Sequence, residues 1–293
     1  KATRLTCRLY DGEELGADLL GADALTDLAV LRLRLSDRPE NAPPLQTAVF
    51  GNSDRVKVGD ICFAMGSPAG LSQSVTRGIV SNLALISHRS SSFRLDGENV
   101  GELVRWLGHD AVIFPGNSGG PLVNERGEII GINEVAIASL GGAIPSNLAK
   151  EVSAELAEKG WVERSWIGLE CQPYLKAHRA GILVSGVIDE SPAKKAGILP
   201  GDIITHLDGK SVQAKIPEDL PPFHQIISSL LPGKECSMRG YRDKEEKTWT
   251  LITQKREPAY QPEKELKSWG LTLREFTLLS SLEARRLVEY GVQ

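Results

Sequence analysis

Cysteine is scarce and scattered in this chain. Cys7, Cys62, Cys171 and Cys236 are the four among 293 residues, and no two of them form a C-x-x-C pair. That pattern argues against a metal site or a disulfide framework and predicts buried free thiols. Neither sign of charge is in large excess. Lys and Arg total 34 against 38 Asp and Glu, a formal net charge of −4, which points away from nucleic acid or an anionic membrane as partner. No apolar run approaches the roughly 20 residues of a membrane span, so no integral membrane segment is expected. No methionine or signal peptide opens the chain. It starts in mid-pattern, with the alternating run Leu5-Thr6-Cys7-Arg8-Leu9-Tyr10, and the natural N-terminus is expected further upstream. The hydrophobic fraction of 41% is ordinary for a globular protein, and the length allows two domains with their own cores.

Residues 1 to about 145 read as all-β. Short runs such as Leu28-Ala29-Val30-Leu31-Arg32-Leu33, Ile61-Cys62-Phe63-Ala64-Met65 and Ile129-Ile130-Gly131-Ile132-Asn133 alternate with turns at Asp11-Gly12, Gly51-Asn52 and Arg126-Gly127. This spacing predicts a barrel or sandwich. The polar stretch between Ile86 and His109, with Ser90-Ser91-Ser92, reads as a long loop. The period changes over residues 146–160. Leu148, Val152 and Leu156 fall on one helix face, Ser146 or Asn147 is available as a cap, and Gly160 as a stop.

Residues 164–256 read as a second, α+β unit. Ile182-Leu183-Val184 is a strand, and Ser191 to Gly197 a short helix with a glycine stop. Gly201-Asp202 turns into a strand over Ile203-Ile204-Thr205-His206. Phe223 to Leu231 is helical in pattern and stops at Pro232-Gly233. Residues 257–265, with Pro258 and Pro262, read as a linker. Trp269 to Leu273 resumes a strand-like pattern.

The heptapeptide Gly116-Asn117-Ser118-Gly119-Gly120-Pro121-Leu122 carries the most chemistry. Its glycines allow a tight turn and close approach of a substrate carbonyl. The N–H groups of Gly116 and Ser118 can then converge on one oxyanion, with Ser118 as nucleophile. The same residues are also good turn formers. Strand-like runs, Asp110 to Phe114 and Pro121 to Asn124, flank the heptapeptide.

Four segments together resemble the HtrA (DegP-type) serine proteases. They are Thr26-Asp27-Leu28-Ala29-Val30-Leu31, Gly66-Ser67-Pro68, Gly116 to Leu122, and Ala143-Ile144-Pro145-Ser146, in matching order and spacing. The resemblance implies a mainly β fold, a chymotrypsin-like double β-barrel followed by a PDZ domain. The domains expected are a trypsin-like protease domain at 1–146, a connecting helix at 147–163, and a PDZ domain at 164–256. Residues 257–293 would be a linker, then the start of a second PDZ domain or a lone C-terminal helix. Carried over by the resemblance, Ser118 is the nucleophile and Asp27 the acid that orients a histidine. Gly116 and Ser118 supply the oxyanion hole. The alternative for Asp27 is a turn or capping role.

The histidine of that triad is not evident. In this family it stands roughly thirty residues before the acid, in His…Asp…Ser order, which places it before Lys1. Of the five histidines, His178, His206 and His224 fall outside the protease segment, and His88 lies in the polar stretch. His109 precedes Ser118 by nine residues, in the run that feeds the nucleophile loop. A second departure is Glu134, where the family carries a small hydroxyl residue. Facing inward, it would sit beside Asp27 and could raise a pKa; facing solvent, it would have no catalytic meaning. Val135, Ala136 and Ile144 line either an S1 pocket for an aliphatic P1 residue or the barrel core.

In the second unit, Trp166-Ile167-Gly168-Leu169 resembles the carboxylate-binding loop of HtrA-type PDZ domains. There Ile167, Gly168 and Leu169 would hold a peptide C-terminus by backbone N–H groups and β-augmentation. Ile226, Ile227 and Leu230 would floor the groove. Otherwise these residues are a strand start and a core helix face. The resemblance implies an ATP-independent endopeptidase of unfolded or damaged proteins, without metal or cofactor. It also implies a homotrimer or larger assembly and a periplasmic or other extracytoplasmic location. The alternatives are an inactive HtrA-like chaperone and a PDZ scaffold.

Overall fold

The computed structural model describes residues 4–68, 73–86, 94–95, 98–174, 181–258, 264–273, 275 and 277. The chain divides into two units, 1–88 with 103–162, and 89–102 with 163–293.

In the first unit, β1 (Leu5–Arg8), β2 (Glu14–Asp23) and β3 (Leu28–Leu33) form a three-stranded antiparallel sheet. β4 (Ile61–Gly66) and β5 (Ser74–Leu85) follow. The short hairpin of β6 (Arg94–Leu95) and β7 (Glu98–Asn99) groups with the second unit. β8 (Trp106–His109), β9 (Pro121–Asn124), β10 (Ile129–Ile137) and β11 (Leu140–Pro145) complete the first. A closed barrel runs in the order β10-β11-β8-β5-β4-β9. Its core holds Cys62, Ala64, Val80, Leu122 and Ile130.

Two readings from sequence are corrected here. The stretch read as a loop up to His109 ends earlier, because Trp106–His109 is a barrel strand buried on both faces. A strand buried on both faces shows no alternation, and a fully buried histidine hides it further. Conversely, Asp110 to Phe114 is no strand. It runs beside β5 on side-chain bonds: Asp110 Oδ1 accepts from Ile79 N at 2.6 Å, and Thr76 Oγ1 donates to Val112 O at 2.8 Å.

Helix α1 (Ser146–Lys159) buries Ala149, Val152 and Leu156 and ends at Gly160, as its period predicts. Its cap is not local. Ser146 Oγ donates to Gly51 O at 2.9 Å, while Ser53 Oγ accepts from the Asn147 N–H at 3.1 Å. A serine distant in sequence thus takes the orphan donor that a local cap would take.

The second unit opens with β12 (Ser165–Trp166), β13 (Leu169–Pro173) and β14 (Ile182–Val187). Then come α2 (Pro192–Lys195), β15 (Ile203–Leu207), β16 (Lys210–Ser211), α3 (Leu220–Ser228), β17 (Glu235–Arg242) and β18 (Glu245–Ile252). The main sheet is ordered β13-β14-β15-β17-β18, with β16 beside β15. β19 (Gln254–Lys255) pairs with β12. Helix α3 begins three residues before the predicted Phe223, since Pro221 and Pro222 sit in a first turn that needs no N–H donors. β20 (Lys264–Leu266) and β21 (Leu271–Leu273) form an exposed hairpin, so part of the predicted linker is strand. The second-PDZ and C-terminal-helix readings fall largely on residues outside those described.

The core of this unit gathers Ile182, Val184, Ile198, Ile204, Leu207 and Met238, all fully buried. At its edge Asp202, 1% exposed, is locked by Arg242. Arg242 Nε donates to Oδ1 at 2.7 Å and Nη2 to Oδ2 at 2.8 Å, and Nη2 also reaches Gly197 O at 2.7 Å. The Leu199 N–H takes up the remaining capacity of Oδ2 at 2.8 Å. This fork holds the turn that leads from α2 into β15. Replacing Arg242 by Met strands a buried carboxylate, and the expected loss is about 3 kcal/mol in urea unfolding of this unit.

Candidate active site and peptide groove

The Gly116–Gly120 turn joins the irregular run after β8 to β9. The Asn117 N–H donates to Phe114 O at 2.9 Å, and the Gly120 N–H to Asn117 O at 2.9 Å. Its position is set from outside. Gly119 N donates to Asn133 O at 2.8 Å, Asn133 N to Gly120 O at 2.9 Å, and Ser67 N to Gly116 O at 3.1 Å. Gly116 has φ +110°, and a Cβ there would stand 2.5 Å from Ser67 O, so no other residue fits the turn unstrained. Asn117 is buried while Ser118 is exposed. Among the described residues, no acceptor meets the N–H of Gly116 or Ser118.

Ser118 Oγ donates to the main-chain oxygen of Glu134 at 2.7 Å. Glu134 sits at a break in the β10–β11 register, where Asn133 pairs with Ala143 and Val135 with Gly142. It is the extra residue of a bulge, and bulges re-aim side chains. Here the side chain turns inward, which resolves the choice that sequence left open. Trp106 Nε1 donates to Glu134 Oε2, and the carboxyl shares a hydrogen bond with Asp27. Burial pushes Glu134 up to about 8, opposed by the Trp106 hydrogen bond and reinforced by the charge of Asp27.

Asp27 lies in the turn between β2 and β3. The Thr26 and Asp27 N–H groups donate to Asp23 O and Ala24 O, each at 3.3 Å. Its φ of +54° is a conformation that Asp tolerates better than most residues. Partial burial pushes the Asp27 carboxyl above its ordinary value, and the Glu134 hydrogen bond pulls it back part of the way. The structure therefore brings two sequence-predicted residues to one point, Glu134. Ser118 meets its carbonyl, and Asp27 meets its carboxyl.

The described histidines are placed elsewhere. His109 is fully buried, with Nε2 3.1 Å from Asn133 Oδ1, while Asn133 Nδ2 donates to Pro121 O at 3.1 Å. Burial lowers its pKa, so the ring is neutral at pH 7. It braces the barrel wall behind the turn. His206 Nδ1 lies 2.9 Å from Thr205 Oγ1, and His224 is on α3. His88 and His178 lie outside the described residues. Of the three apolar residues considered for S1, Ile144 is buried with Val104, Trp106 and Ala149, and Val135 packs against that cluster, whereas Ala136 is exposed. No local sequence pattern marks Trp106. Its indole matters only because the bulge brings a carboxyl to it.

The second unit holds the other predicted site. Ile167 is buried and its carbonyl accepts from Ala193 N at 3.0 Å; Gly168 O accepts from Ile188 N at 3.0 Å. Gly168 has φ +78°, and a Cβ there would stand 2.2 Å from the Ser191 Cβ. Among the described residues, the N–H groups of Ile167 and Gly168 meet no acceptor. Leu169 opens β13, the end strand of its sheet. Helix α3 packs beside β13, with Ile226 and Leu230 partly buried and Ile227 buried. An end strand, neighbouring N–H groups without acceptors and an apolar helix face are what an extended peptide terminus requires.

Residues 1–132 match the family model "Trypsin-like peptidase domain", and residues 166–253 match "PDZ domain". A probable periplasmic serine endoprotease, DegP-like, of Brucella suis biovar 1 is 38% identical over 253 residues, covering 81% of this chain and 45% of its own length. A DegP-like relative from Pseudomonas fulva is 36% identical, covering 84% of this chain and 50% of its own. The chain thus spans about half the length of the curated relatives it matches. Among solved structures, the HtrA-type protease AlgW with tripeptide aligns at a TM-score of 0.73 and 33% identity. That alignment covers 88% of this chain and 83% of AlgW. A serine endoprotease from Yersinia pestis aligns at 0.62 and 30%, covering 88% and 82%. With a closed β-barrel carrying the Gly-Asn-Ser-Gly-Gly turn and a PDZ unit after it, this chain belongs to the HtrA family of serine proteases.

Proposed function

We propose that the chain is a serine endopeptidase of unfolded or damaged proteins, with a PDZ domain that takes peptide C-termini. The observation that carries this reading is the turn at Ser118. It exposes one hydroxyl and leaves two neighbouring N–H groups, of Gly116 and Ser118, without acceptors. Ser118 Oγ attacks the scissile carbonyl, its proton passing to a histidine base that Asp27 orients. The Gly116 and Ser118 N–H groups take the developing oxyanion. The tetrahedral intermediate expels the amine, which receives the proton from the base. Water, activated by the same base, then releases the acyl group from Ser118.

On this reading the base is the histidine that the family's His…Asp…Ser order sets N-terminal to the acid, and among the described residues no histidine bonds to Ser118. For attack, the Ser118 hydroxyl exchanges the Glu134 carbonyl for that base. Val135 and Ala136 favour a small or medium aliphatic P1 side chain, with Ile144 supporting them from the core. Ile167, Gly168 and Leu169 bind the terminal carboxylate, and Ile226 and Leu230 line the groove. A homotrimeric or larger assembly and a periplasmic location complete the proposal; the DegP-like relatives are named as periplasmic.

Two experiments test it. The protein with its native N-terminus is expected to cleave unfolded casein, and Ser118→Ala to lower the rate by about 10⁴-fold or more. Equal rates for the two forms would remove Ser118 from the reaction. Gly168→Val is expected to weaken binding of C-terminal peptides by more than about tenfold in fluorescence anisotropy, because it fills the loop and strains its left-handed backbone.

A further inference from the structure

Glu134 is a large acid at a bulge, turned toward a second acid. Two carboxylates in hydrogen-bond contact cannot both be ionised without mutual repulsion, so one proton must lie between them. The surroundings decide where it rests. On β8, Trp106 Nε1 donates to Glu134 Oε2 and fixes one side of the carboxyl. From the turn before β3, Asp27 shares the hydrogen bond on the other side. From the loop before β9, the neutral Ser118 hydroxyl approaches and binds the Glu134 main-chain oxygen. The preceding residue of β10, Asn133, faces the neutral His109. Among the described residues, Asp27 is the charged group that acts on Glu134.

We propose that Glu134 is a positioning residue for Asp27: it holds one proton, donates it as a hydrogen bond to the Asp27 carboxylate, and is itself held by Trp106. This rests on the reading of Asp27 as the acid that orients the base. Burial pushes Glu134 up to about 8, so the donor persists through neutral pH. Above that value the proton leaves. Asp27 then loses its donor and gains an adjacent like charge, and its hold on the base weakens. The effect on folding has the same sign. An unfolded glutamate releases its proton near 4.5, the folded one near 8. Stability from this group is therefore full at acid pH and is lost as pH rises through about 8. The turn that presents Ser118 and the acid that serves it are coupled through one residue, so a single deprotonation acts on both.

The test uses the protein with its native N-terminus, Glu134→Gln, Asp27→Asn and Trp106→Phe. Glutamine keeps an N–H donor for Asp27 and an oxygen for Trp106 but does not titrate. Wild-type tryptophan fluorescence is expected to titrate with a midpoint near 8. This transition should be absent in Glu134→Gln and Trp106→Phe and shifted to lower pH in Asp27→Asn. Labelling of Ser118 by a fluorophosphonate should fall through the same midpoint in wild type and stay level in Glu134→Gln. A fluorescence transition that survives in Glu134→Gln, or a labelling profile that Glu134→Gln leaves unchanged, overturns the proposal. If Ser118 labels at no pH in any form, the protease reading fails. The fluorescence titration then judges the shared proton by itself, its presence supporting the pair and its absence refuting it.

Discussion

Asn133 exchanges main-chain hydrogen bonds with Gly119 and Gly120, and its buried side chain spans His109 Nε2 and Pro121 O. The turn around Ser118 has no ladder of its own, so these bonds set where it lies. They work because Asn133 is fully buried in a closed barrel, where an unpaired amide would be costly and every partner is therefore held. One residue further on, the strand bulges. The carbonyl of Glu134 meets the Ser118 hydroxyl, while its side chain meets Trp106 and Asp27. The floor of the site is one stretch of β10, and the loops above it inherit their geometry from that stretch.

Both candidate sites are built on the same physical device. A glycine with positive φ turns the chain and leaves neighbouring N–H groups without acceptors among the described residues. A neighbouring residue then stands too close for any side chain to replace the glycine, its main chain in one case and its side chain in the other. At Gly116 that neighbour is Ser67, and at Gly168 it is Ser191. The free N–H groups are a local cost that the surrounding bonds absorb, and they are what an oxyanion or a carboxylate needs. In the second unit the support is electrostatic as well. The Arg242–Asp202 fork holds the turn between α2 and β15 to the sheet.

Much was legible without coordinates where the signal is local. The 3.6-residue spacing of α1, its stop at Gly160 and the short helix after Ser191 follow from side chains within a turn or two. So do the glycines around Ser118, because turn chemistry needs no distant partner. Errors fell where neighbours far along the chain decide. Trp106–His109 carries no local strand signal, because the partner that makes a buried His109 tolerable there, Asn133, lies 24 residues away. The α1 cap comes from Ser53, 94 residues before Asn147, where no local pattern points.

Motifs and their resemblance to a family pointed to the class of the chain, its two-part order and the candidate nucleophile, acid and peptide-loop glycine. These depend on residue type and spacing, which a sequence carries. Only the tertiary structure decided which way Glu134 faces. Its orientation comes from a one-residue mismatch between β10 and β11, and such a mismatch exists only once the two strands pair. The same pairing brings Trp106 from β8 and Asp27 from the β2–β3 turn to one carboxyl, a meeting of three distant segments that no local pattern encodes.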